Sequence, residues 1–358
     1  MSEVVITDLV VPERLDAPES VEFLAMVEIG NRQAELDAGI DDLAETAEEL
    51  LPSWRDQTDR QQRGYIARRD GEIVGAAYFS TANDEHANSA EIGVMVIPPH
   101  WGAGVEQALL ERAECAARET GRTNVQSWTL HPAATSERML TPATGWGRIS
   151  ATALSDLLGA NGYMLEQVER NSVLLLGAPS ERLEETLREA SAFAGPDYRI
   201  VSWTLPTPEH LRAGYADVIS RMATDVPSGD LDIDEEIWDA DRVVRRDRKF
   251  AEGGRLLSVA AVEHVPSGRL VAFNELVIGA DRTGVTHQFG TLVIKEHRGK
   301  RLGTIVKCAN LLHWHEIAPG SPRISTFNAE ENRPMLNINE SLGFIPVSYA
   351  AAWQKSLS

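Results

Sequence analysis

The sequence predicts an α/β (α+β) protein made of two tandem copies of one mixed unit. A repeat at a fixed offset, a shared order of strands and helices, and one extra loop that accounts for the loss of register together predict it. At an offset of 197 residues, Val4 meets Val201, Ile73-Val74 meet Leu270-Val271, and Gly93, Val96 and Gly102 meet Gly290, Val293 and Gly299. Further on, Gly162-Tyr163 lies 60 residues beyond Gly102, whereas Gly343-Phe344 lies 44 beyond Gly299. The 16 additional residues fall in LHPAATSERMLTPATGWGRIS, whose Pro, Gly, Ser and Thr content predicts an inserted loop.

Each copy reads as an opening strand, one or more helices, a strand pair, a long strand, a glycine-bearing loop, an amphipathic helix, another strand, a short helix and a closing strand. In the first copy Ala108, Leu109, Ala113 and Ala116 recur at helical spacing and Gly121 stops the helix. In the second, Ile305, Val306, Ala309 and Leu312 repeat the device before Pro319-Gly320. Between them ERLEETLREASAFAGPDY predicts a connecting helix ending at Gly195-Pro196. The expected division is residues 1–178, a linker at 179–196, and 197–358.

With 358 residues, 43% hydrophobic and 25% charged, the chain can fill one large or two ordinary cores, which excludes wholesale disorder. A net charge of -20 would repel a phosphate backbone, so no nucleic-acid partner is expected. No apolar run approaches the roughly 18 residues of a membrane span, and the opening around Ser2 and Glu3 lacks the basic flank of a signal peptide. Cys115 and Cys308 are too few for a disulfide framework or a thiolate metal cage, so a reduced, cytoplasmic protein is expected. Oligomeric state, a homodimer included, is left open.

The charge is divided unevenly. Up to Gly177 there are 29 acidic residues against 13 Arg and no Lys, a net of -16; from Pro196 onward, 21 acidic residues face 14 Arg and 5 Lys, a net of -2. A polyanionic ligand would be held at lower electrostatic cost by the second copy.

The sharpest signal is HQFGTLVIKEHRGKRLGTIVKCANLL, an apolar strand, a basic loop with two glycines, and a helix that starts directly after it. Unpaired amides and the helix dipole converge on such a point and make an anion site. Arg298, Lys300 and Arg301 add positive charge, while Gly299 and Gly303 permit close backbone approach. The spacing fits neither a Walker loop nor the dinucleotide fingerprint.

The string Val293-x4-Arg298-Gly299-x-Arg301-Leu302-Gly303, with Thr326-Phe327-Asn328-x3-Asn332-x2-Met335 and Leu342-Gly343-Phe344, resembles the GCN5-related N-acetyltransferase (GNAT) family in its tandem-domain form. The likeness spans the chain as a double repeat, with the specific motifs in the second copy. It implies two GNAT-like domains, each a mixed, mostly antiparallel sheet flanked by helices, and acetyl-CoA as acyl donor without a metal. Carried over, Arg298, Gly299, Lys300, Arg301, Leu302, Gly303 and Thr304 would hold the pyrophosphate, and Thr291, Leu292 and Val293 would run beside pantetheine. Asn328 and Asn332 would hydrogen-bond the cofactor or the strand backbone; Asn332-Arg-Pro also reads as a helix start.

Two departures from the family pattern matter. Arg301 replaces the middle glycine of the loop, so its side chain must point away or contact phosphate. In the first copy Trp101-Gly-Ala-Gly104-Val-Glu106 lacks the leading Arg/Gln and puts Glu106 at the place of Gly303. A carboxylate there repels phosphate, which implies a degenerate first domain with a scaffolding or substrate-shaping role.

The resemblance implies direct attack of an amine on the thioester, which needs a base for an ammonium proton and a donor for the departing thiolate. His287, on the strand before the loop, has a suitable ordinary pKa near 6.5 and is one candidate; a structural histidine is the other reading. Glu275, acidic in the apolar run FNELVIG, is the second candidate, with exposure on one strand face as its bland explanation. Asn339 stands where many relatives carry a proton-donating Tyr and has no acidic proton to give.

An acidic cleft between domains would favour a small, cationic amine acceptor. The rival reading is a non-catalytic acyl-CoA sensor or assembly module of the same fold. Asp230-x-Asp232-x-Asp234 has Glu235 where a calcium loop needs glycine, and His313-x-His315 splays its rings to different helix faces, so no metal is expected. Cys308, inside a helix, is expected to pack in the core.

Overall fold

The computed structural model describes residues 3–98, 100–134, 136–177 and 180–357. Ser2, Thr135 of the inserted loop and the expected boundary at 178/179 lie outside the described residues. In the first half, β1 (Val5–Asp8) leads to α1 (Val21–Ala38), α2 (Ala47–Arg55), β2 (Arg60–Arg69), β3 (Glu72–Ala82) and β4 (Ser89–Met95). Then come α3 (Val105–Glu119), β5 (Asn124–Pro132), the small strands β6 (Met139–Leu140) and β7 (Ile149–Ser150) in the inserted loop, α4 (Ala153–Ala160) and β8 (Met164–Leu175). The connecting helix α5 (Glu181–Ala194) precedes β9 (Tyr198–Thr204), α6 (Glu209–Ser220), α7 (Met222–Asp225) and α8 (Ala240–Glu252). β10 (Leu256–His264), β11 (Arg269–Ile278), β12 (Thr286–Val293), α9 (Leu302–Ile317), β13 (Arg323–Ala329), α10 (Arg333–Leu342) and β14 (Ile345–Ser356) complete the second half.

Local chemistry sets several of these boundaries. Thr46 and Glu49 form a reciprocal capping box at the start of α2, and Thr152 with Ser155 does the same for α4. Asn332 accepts the Met335 N–H at the start of α10, and Gly343, left-handed at φ 99°, ends it.

Among the described residues, twelve strands form one sheet in the order β1-β2-β3-β4-β5-β14-β8-β13-β12-β11-β10-β9. Every pairing is antiparallel except β4 with β5 and β12 with β13. The two copies are not closed separately: their closing strands are exchanged. β14 lies between β5 and β8, in register from Ser348↔Pro132 to Ser356↔Asn124 on one side and from Ile345↔Val173 to Gln354↔Met164 on the other. β8 in turn pairs with β13 from Arg323↔Leu175 to Ala329↔Glu169. The alternation within a strand reveals which face is buried and carries no information on which half supplies its neighbour.

The exchange extends into the cores. Ala351 and Trp353 of β14 are buried with Leu109, Ala113, Ile92 and Val125 of the first half. Leu174 and Leu176 at the end of β8 pack against Leu311, Trp314, Ile324 and Phe344 of the second. Cys308 is buried as expected, whereas Cys115 is exposed on α3.

Charge explains part of the remaining contact. Asp42 takes a bidentate bond from Arg323, Asp59 takes bonds from Arg245 at 2.6 and 3.0 Å, Asp56 pairs with Arg248 at 2.5 Å, and Glu45 pairs with Arg255 at 3.2 Å. Much of the first half's acidity near the junction is therefore neutralised by arginines of the second half, which leaves less of the expected acidic cleft. Partial burial alone would raise the Asp56 carboxyl, but hydrogen bonds from Thr58, the charge of Lys249 and a hydrogen bond from Arg248 outweigh it and hold it at about 2.

Because that value lies below the ordinary one of 3.8, Asp56 contributes stability above the ordinary pKa and loses it as pH falls through the lowered one. Asp56→Asn is expected to reduce unfolding free energy by about 1–2 kcal/mol at neutral pH. In urea titrations the gap from wild type should close as pH is lowered toward the lowered pKa; a gap that does not change with pH would contradict the ion-pair assignment.

Candidate functional site

β12 and β13 run parallel only at Thr286↔Ile324 and His287↔Ser325, and then diverge. Gln288 Nε2 donating to Thr326 Oγ1 at 2.9 Å is a bridge at the apex of the opening. The divergence begins at a bulge. Asn274 of β11 faces Thr291 and Leu276 faces Gln288, so Glu275 lies opposite both Phe289 and Gly290. The Gly290 N–H, freed from the ladder, donates to Glu275 Oε2 at 3.1 Å. A Cβ on Gly290 would fall 2.6 Å from the Phe273 ring and 3.2 Å from that carboxylate, so only glycine fits the bulge as built.

A cavity of about 510 Å³ opens where the strands part. Its walls are Thr291, Leu292 and Val293 of β12, Leu302, Gly303 and Thr304 at the start of α9, and Asn332, Pro334, Met335 and Ile338 of the α10 segment, with Val226 and Pro227 across its mouth. The first amides of α9 have no intrahelical acceptor, so this end of the cavity presents donors and a positive dipole end. Gly303 keeps it open: a Cβ there would meet Ile338 at 3.0 Å.

The loop side chains are placed less simply than the motif implies. Arg298 and Arg301 border the cavity, but Arg298 donates to the carbonyls of Val293 (3.1 Å) and Asp225 (2.5 Å), tying the loop to α7. Arg301 adopts a left-handed φ of 58° and stacks its guanidinium 4.6 Å from the Phe193 ring on α5. The side chain at the family's glycine position thus points to the connecting helix. Lys300 is exposed and does not border the cavity. Asn328 also stays off the wall and accepts a bond from Asn339 Nδ2 at 2.6 Å; Asn332 both caps α10 and borders the cavity.

Glu275 is buried, with 3% exposure, which overturns the surface-exposed explanation of an acidic residue in this strand. Besides the Gly290 amide, its carboxylate accepts from the Tyr215 hydroxyl and from Arg246 at 2.8 Å. A carboxylate so partnered is a structural clamp on the bulge. His287 lies on the adjacent strand, where burial, then the positive charge of Arg255, lower its pKa against an opposing pull from Asp42. The lowering favours the neutral imidazole.

In the first half the corresponding loop is closed from within. Glu106 is buried and its Oε1 accepts the Gly102 N–H at 3.0 Å, placing a carboxylate at the start of α3. The Asp230–Asp234 segment bonds across the first half: Asp234 accepts from the Asn88 and Ser89 amides at 3.0 and 2.9 Å, and the Asp232 carbonyl accepts from Gln126 at 2.8 Å. Among the described residues, no cluster suited to a metal ion is present.

Sequence reasoning missed Lys307, which is fully buried on α9, and the acids Glu169 and Glu331, neither ion-paired among the described residues. Lys307 could have been flagged by its place four residues after Gly303, on the same helix face. Gln167 donates to Glu331 at 2.8 Å and to the Pro227 carbonyl at 3.3 Å. Burial, with the charge of Glu331, raises the Glu169 carboxyl to about 7.

The sequence profile of the acetyltransferase (GNAT) family matches residues 29–140, within the first half. No curated relative matches the sequence. Among solved structures, a tandem GNAT protein from the clavulanic acid biosynthesis pathway, without AcCoA, is similar over 99% of this chain and 98% of its own, at 19% identity and a TM-score of 0.73. A GCN5-related N-acetyltransferase from Sphaerobacter thermophilus covers 98% and 95%, at 15% identity and a TM-score of 0.55. The GCN5-related glucosamine N-acetyltransferase region of a fungal multi-domain β-N-acetylglucosaminidase matches 99% of this chain but 38% of that one, at 14% identity and a TM-score of 0.61. At these identities the structural likeness concerns the fold.

Gly290→Ala is expected to destabilise the chain by about 1–3 kcal/mol, because the buried Phe273 ring and the Glu275 clamp leave no room for a methyl group. Chemical denaturation checks this, and an unchanged midpoint would contradict the bulge geometry.

Proposed function

From a chain that carries the GNAT acetyltransferase fold twice in tandem, we propose an N-acetyltransferase that uses acetyl-CoA in its second half and acetylates a small cationic amine. The observation that carries this reading is the cavity between the diverging β12 and β13, ending at the amides of α9. Those amides, from Gly303 and Thr304, would donate hydrogen bonds to the pyrophosphate, and the backbone of Thr291 to Val293 would pair with the pantetheine arm. Acetyl-CoA supplies the activated acyl group.

The residues of this chain then position the acceptor and move its proton. His287 is the better base, because the Glu275 carboxylate is already committed to Gly290, Tyr215 and Arg246. The Glu275 clamp fixes the bulge beside the reacting centre. Glu169 and Glu331, neither ion-paired among the described residues, support a cationic acceptor more directly than the overall acidity does. The fungal neighbour's named acceptor class puts amino sugars first among amines to try. The first half would serve as scaffold, since Glu106 occupies its own loop.

The test is thiol release from acetyl-CoA over a panel of amino sugars, polyamines and aminoglycosides. Wild type should turn over at least one. Gly303→Glu should lower kcat/KM for acetyl-CoA at least about tenfold, because a carboxylate would face the phosphates. Binding of acetyl-CoA without thiol release for any amine would favour the non-catalytic sensor instead.

A further inference from the structure

We infer that Gln33 of α1 is an internal occupant of the first-half opening, lying on the strand edge where a pantetheine amide would lie, and that together with Glu106 it keeps acyl-CoA out of that half, an assignment that rests on the acyl-CoA reading of the second-half cavity. β4 and β5 run parallel from Ser89↔Asn124 to Ile92↔Ser127, where their pairing ends. Among the described residues, the edge of β4 beyond Ile92 that faced β5 has no strand beside it, as the edge of β12 has none beyond His287. On its other side β4 stays paired with β3 as far as Ala76↔Met95. At the 197-residue offset Val94 and Val96 correspond to Thr291 and Val293, which border the second-half cavity.

The group that meets this edge in the first half is the Gln33 carboxamide. Its Oε1 accepts the Val96 N–H at 2.8 Å, and its Nε2 stands 3.5 Å from the Val94 carbonyl oxygen. Residues two apart in a strand turn their backbone groups to the same edge, so a chain laid along β4 would take the Val96 N–H and give one of its own to Val94. The side-chain amide does the first and approaches the second. Asp37, one turn along α1, accepts from Gln33 Nε2 at 3.2 Å and holds the carboxamide in this orientation. Gln33 and Val96 are both buried, at 9% and 2% exposure, so the N–H that Gln33 satisfies is out of reach of solvent.

Glu106 fills the other end of the same opening. It is 8% exposed; its Oε1 takes the Gly102 N–H at 3.0 Å, and its Oε2 is buried without a hydrogen-bond partner. A buried carboxylate oxygen without a donor is unfavourable, and the positive end of the 15-residue α3 offsets it as it would offset the charge of a phosphate. An amide on the strand edge and an anion at the helix start follow one another in the order in which an acyl-CoA arm presents those groups. Neither Gln33 nor Glu106 borders the second-half cavity.

The test is calorimetric titration of acetyl-CoA into wild type, Gln33→Ala, Glu106→Gly and the double variant, with the second-half site serving in each as the check on folding. Wild type should show one site, and the double variant two, the first with unchanged affinity. Each single variant keeps one occupant and should stay at one site. One site in the double variant would overturn the assignment, and so would two sites in wild type or in either single variant. Loss of all binding in the double variant would also overturn it, by showing the two side chains to be pins that hold the fold rather than occupants of a cleft. No binding to wild type would overturn the acyl-CoA reading, and the assignment with it.

Discussion

The exchange of β8 and β14 is the constraint on which the rest of the molecule depends. Taken alone, the first half would have β5 and β8 without the strand that joins them, and the second would have β13 and β14 likewise separated. Each gap would expose a row of unpaired amides and carbonyls, which sheets do not tolerate in water without pairing elsewhere. With the strands exchanged, one twelve-stranded sheet runs through both halves, and Trp353 of one half completes the core of the other. The two parallel pairings, where the sheet opens, are thereby held at fixed positions on either side of the centre.

Those two openings are built alike and finished differently. Each has a long strand followed by a glycine loop and a helix: Gly102 and Gly104 before α3, Gly299 before α9. In the first, Glu106 turns its carboxylate back onto the Gly102 amide and uses the donor that an anion would need. In the second, Gly303 leaves the helix start bare, and the cavity reaches it. A single residue type at one repeated position thus separates a loop that carries its own carboxylate from one whose helix start borders a cavity. The family profile nevertheless falls on the first half, so likeness of sequence and readiness of the anion site are not carried by the same copy.

Much of this was legible in the sequence because the repeat is a repeat of packing needs. Gly93 and Gly290 recur at the 197-residue offset since each lies beneath an aromatic ring of the adjacent strand, Tyr78 in one half and Phe273 in the other. The loop, the helix after it and the caps at Asn332 and Gly343 are likewise local signals. What escaped was non-local. The partners of Glu275 come from α6 and α8, 60 and 29 residues away in the chain, and nothing in FNELVIG announces them. The exchange of closing strands left no mark on the alternation of β8 or β14. Lys307 was hidden because a charged residue within a helix ordinarily reads as solvated. The charge asymmetry was visible, but its use was not: many first-half carboxylates near the junction answer arginines of the second.

The most direct test of one open and one closed site is the stoichiometry of acetyl-CoA binding to the intact chain by calorimetry. One site per chain is the predicted result, since the Glu106 carboxylate at the start of α3 would face a pyrophosphate in the first half, whereas the second-half loop has Gly303 at that position. Two sites would contradict the closure of the first half by Glu106, and no binding would contradict the assignment of the second-half cavity to acyl-CoA.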